Sequence, residues 1–297
     1  FPISLYRMSS WTRTIVVPLA IVQAFKPRME LPRELGIREL FVEPPHEGTL
    51  PAVARLQGRI FRWENIFRLL DRGLKLYERT FPRNPLRSRA IKRAEAWMLD
   101  RLRESDGVGA IFPPMVYTVL ALRSLGYRDD SPEMVRAEKV LDDLILDRGG
   151  QFRIQPCVSP VWDTTWSMLA LSDAGLPADH PALCQAADWL MSHEISDPGD
   201  WTKLNPSIAP GGWAFEYDNR FYPDLDDTST ALMALKRTAR FAEPSCQSAI
   251  ERGMAFLLAM RSSDHGWAAF DRDINNPILE VIPFADHNAM LDPSCPD

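Results

Sequence analysis

Apolar residues recur along this 297-residue chain mostly at steps of three and four, which is the spacing of amphipathic α-helices. The pattern is clearest in three segments rich in Ala, Leu, Met and Glu: Ala94–Leu102, Ala186–Glu194 and Gly253–Arg261. The alternating pattern typical of strands is scarce. The sequence therefore predicts an all-α fold with many loops, including an irregular, Pro-rich loop over residues 26–58.

An imperfect repeat runs through the predicted helices. A helix with a (Leu/Met)-Ala-Leu core recurs at Tyr117–Leu122, Trp166–Leu171 and Ser229–Leu235. The last two copies are followed by a second helix that carries a large aromatic residue, Trp189 or Phe256, and then by a Gly/Trp loop. Repeated helix pairs predict a closed α/α barrel (toroid) or an open solenoid, although unrelated helices that share core residues would give the same pattern.

Charge is distributed unevenly along the chain. The net charge is −6, but residues 1–150 carry 25 Lys and Arg against 19 Asp and Glu, whereas residues 151–297 carry 9 against 21. The change of sign coincides with Gly149 and Gly150, where we place a boundary. The acidic balance and the lack of a nucleic-acid-binding motif argue against a nucleic-acid partner.

The most basic stretch contains a predicted amphipathic helix. Its apolar residues recur at steps of three and four, at Ile60, Trp63, Phe67, Leu70, Leu74 and Tyr77. Arginines and lysines lie largely off that stripe. The pattern suits either a surface helix that packs its stripe on the core or a helix that lies in a membrane interface.

No other segment of the sequence indicates a membrane span or export. The longest apolar run, Ile15–Phe25, is too short to cross a bilayer and contains Pro18. No signal peptide is visible. The four cysteines lack the spacing of a zinc site, so we expect reduced thiols.

The densest chemistry lies at residues 211–230, where Asp224, Asp226 and Asp227 precede a predicted helix. Helix capping explains one aspartate easily but three poorly. Carboxylates also bind hard cations, but the nearby acidic run Asp271–Asn275 lacks the glycine and the terminal glutamate of a calcium loop. Crowded carboxylates cannot all ionise, so a third interpretation is an acid that holds a proton for delivery to a weak base.

Aromatic residues surround the acidic motif and narrow the class of substrate. They are Trp213, Phe215, Tyr217, Phe221 and Tyr222. Their negative π-faces suit a carbocation and do not suit a sugar phosphate. An acid beside an aromatic-lined cavity indicates protonation of an apolar substrate, followed by stabilisation of the cation that results.

At these residues the sequence resembles the squalene–hopene cyclases, which belong to the class II terpene cyclases. Residues 224–227, Asp-Leu-Asp-Asp, resemble the family's DXDD motif. Five ordered blocks extend the resemblance over the whole chain: Met8–Trp11, Ile111–Pro114, Ser159–Thr164, Gly211–Phe215 and Tyr222–Thr228. The resemblance implies protonation of squalene without metal or cofactor, then cyclisation to pentacyclic hopanoid triterpenes.

The resemblance also implies roles for individual residues. Asp226 is expected to donate the proton to the terminal double bond, with Asp224 and Asp227 sharing the negative charge. Asp163 is expected in their hydrogen-bond network. Asp297 matches an acidic residue shortly before a histidine that partners the catalytic aspartate. The expected lining of the substrate cavity comprises Trp11, Ile111, Phe112, Trp162, Phe215 and Phe270.

The sequence departs from the family pattern at several positions. Phe270 stands where some members have a tyrosine, and Phe112 where some have a glutamine. Arg261 and Glu194 replace the glutamines that precede two Gly/Trp loops. We expect cation stabilisation by the Phe270 ring to survive and the bracing of the outer helices to differ.

The family has two α/α barrels, one inserted in the other, which suggests a division of this chain. Residues 1–155 would form most of the inserted barrel, and residues 156–297 the first part of the catalytic barrel. The chain would then be an interior fragment of a longer enzyme, and inactive in isolation.

The resemblance implies partners and a location as well. Family members bind one leaflet of a lipid membrane and draw squalene from it. We therefore expect a peripheral, monotopic protein on the cytoplasmic side of the bacterial cytoplasmic membrane, which could form a homodimer at full length.

Two other functions stay open. One is another α/α-barrel enzyme, such as a glycoside hydrolase with paired carboxylates. The other is a non-catalytic helical-repeat binding protein, in which the three aspartates would be solvated helix caps.

Overall fold

A computed structural model describes residues 4–30, 32–36, 40–41, 63–81, 84–276, 279 and 290–295. Within these residues the chain is mostly helical, which confirms the all-α prediction. The α-helices there are α1 (Ser10–Phe25), α2 (Trp63–Thr80), α3 (Pro85–Arg103), α4 (Phe112–Leu125), α5 (Pro132–Asp142), α6 (Pro160–Asp173), α7 (Pro181–Ser192), α8 (Leu225–Lys236) and α9 (Pro244–Ala259).

Proline and short polar residues fix where many of these helices begin. A proline opens five of them, at Pro85, Pro132, Pro160, Pro181 and Pro244. The side chain of Asn84 accepts a hydrogen bond from the Leu86 N–H at 2.8 Å and so caps α3. At the other end of α4, Gly126 adopts a left-handed conformation with φ of 92°, which a side chain would strain.

The helices pair in the order that the repeat predicts. The three copies of the (Leu/Met)-Ala-Leu core lie in α4, α6 and α8, and each of these helices packs on the one that follows it. One hydrophobic core joins α1, α3, α4 and α5, with Met98 and Leu122 fully buried. A second core joins α6 to α9 around Trp213 and Leu235, which are also fully buried.

A β-hairpin separates the two cores and was not predicted. Strand β1 (Ile145–Arg148) pairs antiparallel with β2 (Gln151–Ile154). Gly149 and Gly150 form the two-residue turn with φ of 64° and 85°, as a type I′ hairpin turn requires. The residues at which the charge balance changes sign therefore form a tight turn. The division of the chain into two barrel domains, between residues 155 and 156, stays a prediction.

Arg261 and Glu194, at which the resemblance led us to expect glutamine, both make contacts through their charged groups. The Arg261 guanidinium lies over the Trp267 ring, 5.4 Å from the ring centroid, as in a cation–π contact. Glu194 forms two hydrogen bonds with Arg252 of α9, at 2.7 and 2.6 Å. Arg261 thus braces the Trp267 loop, whereas Glu194 joins the segment after α7 to α9.

The predicted basic amphipathic helix corresponds to α2, and its apolar stripe is exposed to solvent. Trp63, Leu70 and Leu74 are 57, 55 and 55% exposed. The prediction that this stripe packs on the core is therefore wrong for these residues. Ile60 and most of the predicted loop over 26–58 lie outside the described residues. No helix in that part combines the length and the hydrophobicity needed to cross a membrane.

Candidate active site

The acidic motif forms the first turn of α8. Asp224 is the N-cap, and its Oδ1 accepts hydrogen bonds from the backbone N–H groups of Asp226 and Asp227 at 2.8 and 3.1 Å. The Asp224 N–H in turn donates to the Trp213 carbonyl at 2.8 Å. A Cβ at Gly212 would approach the Thr228 hydroxyl to 2.8 Å, so glycine is needed where this segment meets α8.

The three aspartates of this turn lie in different environments. Asp224 and Asp227 are buried, whereas Asp226 is exposed. Both carboxylate oxygens of Asp227 lack a hydrogen-bond partner among the described residues. The binding-protein hypothesis predicted three solvated caps, and the structure contradicts it for Asp224 and Asp227.

Burial makes two of these carboxyl groups weak acids. It raises the pKa of Asp227 to about 9, and the charges of Asp224 and Glu216 add to the effect. Burial also raises the pKa of Asp224 to about 7, against the two backbone hydrogen bonds that its carboxylate accepts. The start of α8 therefore retains protons at neutral pH, as an acid catalyst must.

Asp163 lies in the first turn of α6, which packs against α8. Its carboxylate is exposed and accepts a hydrogen bond from the Ser159 hydroxyl at 3.1 Å. The charge of Asp163 contributes to the raised pKa of Asp227. The Thr165 and Thr230 hydroxyls are 3.1 Å apart and join the two helices. Asp163 is thus electrostatically coupled to the acidic motif.

An aromatic cluster lies against the start of α8. The ring of Phe270 contacts those of Tyr222 and Trp11 at centroid distances of 5.7 and 5.8 Å. The Leu225 N–H donates to the Ala269 carbonyl at 2.8 Å, so the Phe270 loop is attached to the acidic motif. The structure therefore brings two predicted lining residues, Trp11 and Phe270, into contact beside the aspartates.

The other predicted lining residues are less closely joined to that cluster. Trp162 and Phe215 are half-buried, and Trp162 packs edge-on against Trp166 at 5.6 Å. Ile111 caps α4 and pairs with Cys157, while Phe112 is 39% exposed. Within the described residues, no ring contact links Phe112, Phe215 or Trp162 to Phe270, and Asp297 lies outside them.

Several buried charged residues near the site were not predicted. Asp292 holds the Phe270 loop, because its Oδ2 accepts the N–H groups of Phe270 and Asp271 at 2.8 and 2.6 Å. Burial raises the pKa of Asp292 to about 6. Glu216 is also buried. A carboxylate inside an aromatic run is the sequence signal that could have singled out Glu216.

A buried ion network connects the two halves of the chain next to the aromatic cluster. Asp200 accepts hydrogen bonds from Arg101 at 2.5 Å and from Arg13 at 3.5 Å. Arg13 also lies 3.6 Å from Asp271, whose carboxylate accepts two hydrogen bonds from Ser10 at 2.7 Å. This network fixes the N-terminal half of the chain against the loops that carry the site.

The described residues contain no group of histidine, cysteine and acidic side chains arranged to hold a metal ion. The rejected calcium loop has a different structure here, since Asp271 is engaged with Ser10 and Asp273 accepts a hydrogen bond from the Ser263 N–H at 2.7 Å. The chemistry available at the start of α8 is that of carboxyl groups beside aromatic rings.

Comparisons with known proteins agree over the whole chain. Residues 1–149 match the family model of the squalene-hopene cyclase N-terminal domain, and residues 158–297 that of the C-terminal domain. The chain is 41% identical to the squalene–hopene cyclase of Bradyrhizobium diazoefficiens over 100% of its own length and 45% of the relative's. Identity is 36% to the squalene–hopene cyclase of Alicyclobacillus acidocaldarius, with coverage of 100% and 46%. It is also 36% to the dammaradiene synthase of Dryopteris crassirhizoma, with coverage of 99% and 42%. The chain spans less than half the length of these curated relatives, and it belongs to the squalene–hopene cyclase family.

Proposed function

We propose that the full-length protein cyclises squalene to a pentacyclic hopanoid triterpene by protonating a terminal alkene. The observation that carries the proposal is the attachment of the Phe270 loop to the start of α8, which places an aromatic wall beside three carboxyl groups. The names of the relatives point to the same substrate. A glycoside hydrolase is disfavoured, because the acids share one helix turn and adjoin aromatic rings.

In this proposal Asp226 donates the proton. Asp224 is committed to capping α8, since its Oδ1 accepts two backbone hydrogen bonds. Asp227 is fully buried and keeps its proton at neutral pH. Asp226 shares the turn with both and is the exposed carboxyl, so it is the member that can reach a substrate. Its charge raises the pKa of both neighbours and so favours their protonated forms.

The aromatic cluster supplies the electrostatics for the cations that follow. A cation over a ring face gains about 0.5–2 kcal/mol, depending on how well water is excluded. Phe270 and Tyr222 are buried, and their rings meet at 89°. These fixed rings need no reorganisation as positive charge develops, so they stabilise the transition state more than the neutral substrate.

Conversion of squalene tests the proposed function. We expect the purified full-length protein, incubated with squalene in detergent and EDTA, to form a polycyclic triterpene that gas chromatography with mass spectrometry identifies. A parallel incubation with oligosaccharides should release no sugar. Recovery of unchanged squalene, or glycoside hydrolysis instead, would rule the proposal out.

We also propose that α2 binds one leaflet of a lipid membrane. Its stripe exposes Trp63, Leu70, Leu74 and Tyr77, and the stripe is continued by Phe81, which is 57% exposed. Exposed cations on the same helix, such as Arg72 and Arg79, suit anionic lipid head groups. Attachment to the cytoplasmic side of the bacterial cytoplasmic membrane stays a prediction, because α2 itself identifies neither the membrane nor its side. Formation of a homodimer by the full-length protein stays a prediction.

Vesicle binding tests the role of α2. We expect Leu70→Glu combined with Leu74→Glu to lower binding of the full-length protein at least about tenfold, because burial of each leucine contributes roughly 1.5–3 kcal/mol. The measurement is co-sedimentation with vesicles of equal parts phosphatidylcholine and phosphatidylglycerol. Leu69→Glu with Leu76→Glu is the matched control, since those leucines are 53 and 65% exposed off the stripe. Equal loss in both variants would contradict the proposal.

A further inference from the structure

The rings of Trp11 and Phe270 meet across the two halves of the chain, and the proposed mechanism does not explain what aligns them. Trp11 lies in the first turn of α1, whereas Phe270 lies in the loop that follows α9. Their ring centroids are 5.8 Å apart, and the ring planes meet at 57°. Trp11 is nevertheless 41% exposed, so part of its ring is open to a bound molecule.

The first turn of α1 is capped from outside its own segment. Ser9, the residue that precedes the helix, makes no side-chain hydrogen bond to it. The carboxylate of Asp271 takes that place, because its Oδ2 accepts hydrogen bonds from both the N–H and the hydroxyl of Ser10, each at 2.7 Å. Negative charge at this end of a helix is also favoured by the helix dipole. A residue 261 positions away in sequence therefore caps α1.

These two hydrogen bonds join the neighbours of the two rings. Ser10 directly precedes Trp11 in the sequence, and Asp271 directly follows Phe270. Both bonded residues are buried. A buried hydrogen bond is electrostatically stronger than one in water. The position of one ring relative to the other is therefore set by a contact that lies one residue away from each of them.

The backbone of the Phe270 loop is held independently of the Asp271 side chain. Asp292 accepts hydrogen bonds from three consecutive N–H groups, those of residues 269–271, at 3.2, 2.8 and 2.6 Å. The carbonyl of residue 269 in turn accepts the N–H of the first residue of α8 at 2.8 Å. Loss of the Asp271 carboxylate therefore leaves the ring of Phe270 beside the acidic motif and releases only the start of α1.

Two other contacts keep α1 attached when that carboxylate is absent. The Ser9 N–H donates to the Met290 carbonyl at 3.1 Å. Arg13, further along the same helix, forms a buried ion pair with Asp200 at 3.5 Å. Removal of the carboxylate should therefore change the direction of the first turn, and with it the position of Trp11, without detaching the helix.

We propose that Asp271 is a positioning residue, which sets the ring of Trp11 against that of Phe270 by capping α1. The proposal rests on the proposed function. At each stage of cyclisation a carbocation either forms the next ring or loses a proton to water, which breaks a C–H bond and leaves an alkene. A fixed ring face stabilises the cation and the transition state for the next ring closure. The aligned pair of rings therefore favours complete cyclisation over release of products with fewer rings.

The ratio of incompletely cyclised to pentacyclic product tests this role. In the full-length protein, Asp271→Ala should raise that ratio by about 2- to 30-fold, the factor that a well-placed cation–π contact contributes to a rate. The rate of squalene consumption should change less than the ratio, because the acidic motif and the Phe270 loop stay in place. Gas chromatography with mass spectrometry measures both quantities.

Asp271→Asn is the matched control for the loss of charge. It removes the charge that lies 3.6 Å from Arg13, but its amide oxygen can accept both hydrogen bonds from Ser10. It should therefore keep the wild-type product ratio. Ser10→Ala keeps the charge and removes one of the two bonds, so it should raise the ratio. This variant decides the question if Asp271→Ala does not fold.

Dependence on Trp11 separates positioning from a general structural effect. In a Trp11→Ala background the ring is already missing, so adding Asp271→Ala should cause no further rise in the ratio. A further rise there would overturn the proposal, as would an equal rise in Asp271→Asn. An unchanged ratio in Asp271→Ala, or in Ser10→Ala where only that variant folds, would overturn it as well. Absence of any cyclic product with the wild-type protein would instead refute the proposed function.

Discussion

Replacing Asp226 with asparagine in the full-length protein is expected to lower the rate of squalene cyclisation by about 10²–10⁴-fold, the usual contribution of a positioned general acid. The amide has nearly the shape of the carboxyl group but no proton of suitable acidity. The hydrogen bond that fixes residue 226 runs from its backbone N–H to Asp224, so the substitution leaves the first turn of α8 in place. The loss should therefore be one of chemistry and not of folding.

The measurement is the initial rate of cyclic triterpene formation, with thermal unfolding as a check on the fold. Asp129→Asn is the matched control, because its carboxylate is 82% exposed and lies 3.7 Å from Arg123, far from α8 in sequence. It should retain wild-type activity. Undiminished activity of Asp226→Asn would show that another group donates the proton. Asp227, which keeps its proton at neutral pH because burial raises its pKa to about 9, would be the next candidate, and Asp227→Asn would then be the inactive variant.

The sequence predicts the helices well because helix formation and capping are local. The 3.6-residue period, the prolines at helix starts and a glycine at a helix end each act within a turn or two. The hairpin at Ile145–Ile154 has no such signal. Seven of the eight residues in its strands are exposed, so no buried face imposes an alternating pattern on the sequence. Only Gly149 and Gly150 indicate this hairpin in the sequence, and two adjacent glycines are equally typical of a boundary between domains.

The acidic motif could be predicted because its members are adjacent in sequence. Their environments could not be, since Asp226 and Asp227 are neighbours and yet one is exposed and the other fully buried. That difference depends on what packs against α8 from elsewhere in the chain. The same holds for Asp271, whose partner Ser10 is 261 residues away. Local patterns contain no information on such pairs.

Asp200 lies at the centre of the buried network that joins the two halves of the chain. Arg13 and Arg101 are 1 and 4% exposed, and both donate to its carboxylate. Burial raises the pKa of Asp200, and the two guanidinium groups oppose that effect. The Arg101 guanidinium also lies between two aromatic rings, 3.9 Å from the centroid of Trp97 and 4.3 Å from that of Phe221. The network therefore holds the ring of Phe221, which precedes Tyr222 of the aromatic cluster in the sequence.

Asp200→Ala is expected to lower the free energy of unfolding by about 3–5 kcal/mol, because it leaves two buried guanidinium groups short of a partner. The cost comes from the uncompensated positive charge more than from the lost attraction. Arg13 retains Asp271 at 3.6 Å, which limits the loss on that side. Equilibrium unfolding of the full-length protein in urea measures the difference.

Asp188→Ala provides the comparison for a salt bridge at the surface. Asp188 pairs with Arg240 at 2.7 Å, but its side chain is 47% exposed, so its loss should cost at most about 1 kcal/mol. Similar losses in the two variants would show that the Asp200 network contributes no more than a surface pair. A large loss confined to Asp200→Ala would show that contact between the halves depends on this carboxylate. The aromatic cluster should then be disturbed as well, because Phe221 packs against the same Arg101, which would keep only the half-exposed Asp100 as an ion-pair partner.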